Sequence, residues 1–122
     1  MHSPLATLTL FAMLVQQPAG RAVTLHLPRA LRAGESATLE VTLGVVPRSA
    51  QIEVTTRTGR HLGTISPYGI RAGAAAGTYT VPIPADAITG RRVCVVLTLH
   101  ANGKSRAPAK NEVKKVSVGI TR

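Results

Sequence analysis

The chain predicts an all-β domain, a seven-stranded antiparallel β-sandwich, and three observations carry that reading. Short runs alternate apolar and polar residues with period two from residue 23 to residue 121. Gly, Pro and Asn break those runs roughly every 8–12 residues, the turn spacing of a sandwich. No segment sustains the spacing of an amphipathic helix. With no Trp, one Phe and two Tyr in 122 residues, the core must be built from Val, Leu, Ile and Ala.

Residues 1–22 stand apart as an export signal. LATLTLFAMLV (5–15) is an apolar run of eleven. That is short of the ~20 residues that span a bilayer, but it suits the apolar region of a secretory signal. Gly20 and Ala22 are small residues placed for a cut after Ala22. No Lys or Arg precedes the run, which leaves a buried first strand as the other reading. Removal of the signal leaves one domain, 23–122, secreted or periplasmic, with no membrane span in the mature chain.

Within that domain AVTLHLP (22–28) puts Val23, Leu25 and Leu27 on one face. SATLEVTL (36–43) turns Ala37, Leu39, Val41 and Leu43 inward and Ser36, Thr38, Glu40 and Thr42 outward. AQIEVTTR (50–57) does the same with Ala50, Ile52 and Val54; Thr58-Gly59 reverses the chain, and RHLGTIS (60–66) returns as an edge strand. TYTVPIP (78–84) faces Tyr79, Val81 and Ile83 inward, and Pro82 and Pro84, which cannot donate to a ladder, assign it to an edge. RRVCVVLTLH (91–100) is the most apolar strand, with Val93, Val95, Leu97 and Leu99 inward. VKKVSVGIT (113–121) closes the series with Val116, Val118 and Ile120.

AGESATLEVTL (33–43), AGTYTVPIPADAITG (76–90) and EVKKVSVGI (112–120) resemble the corresponding strands of immunoglobulin-like and fibronectin type III-like modules of secreted bacterial proteins. The resemblance implies a seven-stranded immunoglobulin-like β-sandwich. It departs from antibody-type domains in lacking the Cys pair, the core Trp, and a Tyr two residues before Cys94, where Arg92 stands. A fold of this breadth implies no particular activity.

Catalytic chemistry is not encoded in a recognisable form, and the chain reads as a non-enzyme. Asp86 is the sole aspartate, in a loop where it caps its own backbone. Glu35, Glu40, Glu53 and Glu112 fall on separate segments, and no Ser lies in a G-x-S-x-G context. No metal or cofactor is implied: His26, His61 and His100 are surface histidines, with no His-x-His or Cys-x-x-Cys pair. His100 and Cys94 share a side but lie roughly 20 Å apart at strand rise, too far for one ion. Cys94 is the only cysteine, so no internal disulfide forms.

GIRAGAAAG (69–77) has the small-residue spacing of membrane-helix packing and the glycines of a phosphate loop. Pro67 and Arg71 interrupt the first pattern, and the second lacks its Lys and its following helix. It is read as a long connection.

Surface charge remains. Fifteen Lys and Arg against five acids give a net charge of +10, which favours an acidic protein or an anionic polymer or surface as partner. Immunoglobulin-type topology would gather Arg29, Arg32, Arg57, Arg60, Arg91, Arg92 and Arg122 at one pole. The opposite pole would carry GVVPRS (44–49) and the longer connections 66–77 and 101–112, with Tyr68, Arg71, Lys104, Arg106 and Lys110 as binding candidates. Cys94 and Val96, apolar on the outward side of their strand, are either covered or form a contact strand for self-association. The leading expectation is an exported non-catalytic binding module. A structural subunit of an extracellular assembly and a small periplasmic metal-binding protein are the alternatives.

Overall fold

The structure, a computed structural model, describes residues 20–122. The apolar run 5–15 lies outside the described residues. Among the described residues eight strands form: β1 (Arg21–His26), β2 (Ser36–Leu43), β3 (Gln51–Thr56), β4 (His61–Ile65), β5 (Gly77–Ile83), β6 (Arg92–Ala101), β7 (Lys104–Arg106) and β8 (Val113–Thr121). One 3-10 turn, Ala85–Ala87, lies between β5 and β6. Every pairing is antiparallel, in two sheets: β1-β6-β3-β4, with β7 also on β6, and β5-β2-β8.

All seven expected strands are present, and β2 and β8 have the expected bounds. The added strand is β7, inside the segment 101–112 expected to be a loop. Its cause is the Asn102-Gly103 pair, which takes φ of 55° and 74° and forms a two-residue hairpin from Ala101 to Lys104. Nothing would crowd a Cβ at Gly103, so only its left-handed backbone resists substitution. Gly103→Ala should therefore lower stability by about 1 kcal/mol, read as a fall of roughly 4–8 °C in Tm.

The order of strands also departs from expectation. An immunoglobulin-type sandwich sets the first strand beside the second and the last beside the sixth. Here β1 pairs with β6 and β8 with β2, so the first and last strands have exchanged sheets. On β6, Val23 and Leu25 stand opposite Val95 and Val93, a favourable cross-strand match of branched side chains. β1 opens at Arg21, so a cut after Ala22 would remove its first two rungs, to Leu97 and Val96.

The alternation holds throughout the centre. Ala37, Leu39, Val41 and Leu43 of β2, Ile52 and Val54 of β3, Val81 and Ile83 of β5, and Val93, Val95, Leu97 and Leu99 of β6 form one buried cluster between the sheets. Each fully buried aliphatic side chain contributes on the order of 1.5–3 kcal/mol. Tyr79 is half-buried at the margin and donates its hydroxyl to Ala76 O at 2.7 Å. β4 and β5 are edge strands, as Pro82 required of β5.

Candidate functional site

Two poles collect the connections. At the first, the chain 84–91 touches both its neighbours: Leu27 N donates to Arg91 O at 2.7 Å, and Arg60 Nη1 donates to Asp86 Oδ1 at 2.9 Å. Arg57, Arg60, Arg92, Asp86 and Cys94 help line a recess of about 360 Å³ there. Thr121 pairs with Ser36, which brings Arg122 to the same end. The opposite pole holds 44–50, 66–76 and 102–112, joined where Gly44 N donates to Glu112 O and Ala76 N to Gly44 O.

Three of the fifteen cationic side chains are held by acids, in two different ways. Arg60 and Asp86 form an exposed pair. The other two pairs are the same clamp built twice. Arg29 Nη1 and Nη2 donate to the two oxygens of Glu35 at 2.7 and 2.6 Å, Nη1 also reaches Ala30 O, and Arg32 N donates to Glu35 Oε1 at 2.7 Å. Arg106 repeats this with Glu112 at 2.7 and 2.8 Å, with Ala107 O, and with Ala109 N donating to Glu112 Oε1 at 2.7 Å. In each, Arg precedes Glu by six residues and Glu directly precedes a strand. Each closes a connection that carries the chain from the first sheet to the second, into β2 or into β8.

The clamps depress both acids. The Arg29 guanidinium, with the Arg32 amide second, lowers the Glu35 carboxyl to about 2. Hydrogen bonding from Arg106 likewise lowers that of Glu112, which is only 7 % exposed. Arg29 and Arg106, expected among the binding residues, thus spend their planar forks within the fold. Arg91 spends its Nε on Leu27 O at 3.2 Å. Arg32, Arg57, Arg92, Arg122, Arg71, Lys104 and Lys110 form no ion pair among the described residues.

The outer face of the larger sheet carries a relay that parity alone did not reveal. Ser105 Oγ and His100 Nδ1 share a hydrogen bond at 2.6 Å, His100 Nε2 donates to Glu53 Oε1 at 3.0 Å, and His61 Nδ1 donates to Glu53 Oε2 at 3.3 Å. The two imidazoles, His100 first, hold the Glu53 carboxyl below the usual carboxylate range. The relay ties β4, β3, β6 and β7 together. His61 stands beside Thr55 and His100 beside Gln51, on opposite sides of β3 and about 13 Å apart along it at strand rise. That offset lets both rings reach one carboxylate from opposite sides of β3. Among the described residues, no group of three or more His, Cys, Asp or Glu is arranged to hold a metal.

Cys94 is half-buried, with Thr24 Oγ1 at 3.4 Å from its sulfur. Val96, flanked by Ala22 and Thr55, is only 5 % exposed. Of the long-loop candidates, Tyr68 is 83 % exposed and Arg71 is exposed beside it. They line a cleft of about 650 Å³ between the β2–β3 and β4–β5 connections, to which Arg48, overlooked in the sequence, also contributes. Lys104 lies instead on a neighbouring recess with His100 and Ser105. No described helix is long and apolar enough to cross a membrane. Together these features define a small basic two-sheet protein whose cations cluster at the strand ends. No protein-family model matches the chain, and comparisons with curated proteins and with solved structures found no match either.

Proposed function

We propose that the protein is an exported, non-catalytic binding module that engages an anionic polymer or surface through its first pole. The observation that carries this is the use of the acids. Glu35, Asp86 and Glu112 each hold one arginine and Glu53 holds two histidines, while Arg32, Arg57, Arg92 and Arg122 remain uncompensated at one end. Guanidinium groups free of internal partners bind sulfate, phosphate or carboxylate in bidentate fashion. We further read the fold as an immunoglobulin-like module with its terminal strands exchanged. Strands β2 and β5 share one sheet and β3 and β6 the other, as in that class, while β4 lies beside β3 instead of beside β5. The Ser105 relay sits on an exposed strand and serves as a strap across the sheet, without a role in catalysis.

On a sulfated-polysaccharide resin the full chain should be retained at low salt and released steeply as salt rises, since exposed charges are screened within about 8 Å at 0.15 M. Combining Arg32→Ala, Arg57→Ala and Arg92→Ala should move elution to clearly lower salt. Retention insensitive to salt, or unchanged in that variant, would remove this reading.

A further inference from the structure

We propose that the cleft between the β2–β3 and β4–β5 connections docks a segment of a partner protein: an extended acidic peptide with a large apolar anchor residue. Three large hydrophobic residues are exposed among those described, Val45 at 45 %, Tyr68 at 83 % and Ile70 at 40 %, and all three lie on these two connections. Elsewhere among the described residues the large apolar side chains are buried or half-buried, so the gathering of the exposed ones on two adjacent connections marks a recognition surface. The cleft between them has a volume of about 650 Å³, within the ~300–1,000 Å³ typical of ligand sites. Val46 and Ile70 supply apolar wall, and Arg48 and Arg71 are its charged groups, with no acid among the lining residues.

The surroundings select the occupant. Arg48 and Arg71 pair with no acid among the described residues, so the cleft is positive and calls for carboxylates. Its apolar wall calls for a hydrophobic anchor, which a purely charged polymer lacks. Tyr68 lines the cleft and the exposed Val45 lies on the β2–β3 connection just outside its lining, so covering both takes a ligand that runs past one end, as an extended chain does. Tyr and Arg are also the residues that dominate binding energy at protein contacts. The walls are pre-shaped: Ala50 N donates to Pro47 O at 3.1 Å and Ala74 N to Arg71 O at 3.0 Å, each closing a turn, and Pro47 and Pro67 stiffen the approach. Ordering such loops on binding costs little entropy. This site differs in place and chemistry from the polyanion pole and does not depend on it.

Selection of a displayed library of random heptapeptides on the full chain tests the proposal. Enriched peptides should carry one or two large apolar residues flanked by Asp or Glu. Absence of enrichment, or enrichment of purely acidic or of uncharged sequences, would overturn it. With an enriched peptide as a fluorescent probe, Arg48→Ala combined with Arg71→Ala, and Tyr68→Ala alone, should each weaken binding at least tenfold. All three side chains are exposed, and an unchanged thermal midpoint will verify folding. Arg57→Ala combined with Arg92→Ala should leave peptide binding within twofold, and the cleft variants should keep their resin retention. Loss of peptide binding in the pole variant with none in the cleft variants would place the peptide elsewhere and overturn the assignment.

Discussion

Glu112→Ala should lower stability by about 2 kcal/mol, and Arg106→Ala should cost more at neutral pH. The asymmetry follows from burial. Removing the carboxylate deletes two charge-assisted bonds and one from the Ala109 amide, but what remains is a guanidinium already half open to water, which rehydrates. Removing the guanidinium strands a carboxylate whose side chain is only 10 % exposed, with a single amide donor left. The two variants also differ in their pH response. In the parent chain the Glu112 carboxyl is depressed, so its contribution is present above the ordinary carboxylate range and is lost as pH falls. In the Arg106→Ala variant burial dominates and raises that carboxyl, so the variant regains part of the lost stability as pH drops toward 5. Thermal melts of both variants at pH 7 and pH 5 will check this. Equal losses with no pH contrast would mean that the pair acts as an ordinary surface ion pair.

The core faces were legible in the sequence because period-two alternation states which side of a strand is apolar. Leu39, Val41 and Leu43, or Val95, Leu97 and Leu99, need no partner to declare their face. Alternation does not say which strand lies alongside. The inward rows of β1 and β8 would serve either sheet, and their exchange depends on the whole packing, in which Val23 and Leu25 match the apolar start of β6. The hairpin into β7 was legible in Asn102-Gly103, but the short polar KSR that follows does not look like a strand until it is paired.

The site was legible to the same degree. Connections sharing a pole follow from strand count and direction, which is why Arg57, Arg60 and Arg92 meet around one recess. Which arginines stay free does not follow, because pairing is decided over a few ångströms. Arg29 and Arg32 look alike in sequence, yet one closes on Glu35 through its side chain while the other gives only its backbone amide. The clamp has a readable trace: Arg-Ala, four intervening residues, then Glu just before a strand, at 29–35 and again at 106–112. The relay on Glu53 has none, since His61 and His100 reach it diagonally from two different strands. Charge in this chain therefore divides into an inner part that fixes two sheet crossings and an outer part left at the poles.

Acid should separate those two parts. Glu35, Glu112 and Glu53 all have carboxyls held below their ordinary value, Glu35 at about 2. A carboxyl depressed in the folded state binds fewer protons there than in the unfolded chain, so stability is present above about pH 4.5 and falls with decreasing pH. For Glu35 the loss continues until pH reaches about 2, because only there does the folded form take up its proton. The same protonation leaves an already +10 chain with still more uncompensated positive charge, which strains the compact state in the same direction. Thermal midpoints should be nearly level from pH 7 to 5 and then fall between pH 4.5 and 2, by on the order of 10 °C or more. Glu35→Gln should begin lower at pH 7 and descend less between pH 4.5 and 2, since it has no carboxyl to protonate there. Added salt should recover part of the midpoint in acid by screening the poles, but it cannot restore the clamps, whose carboxylates are gone. A midpoint that stays level from pH 5 to 2, or a Glu35→Gln profile parallel to that of the parent chain, would show that the clamps do not hold the sheet crossings together.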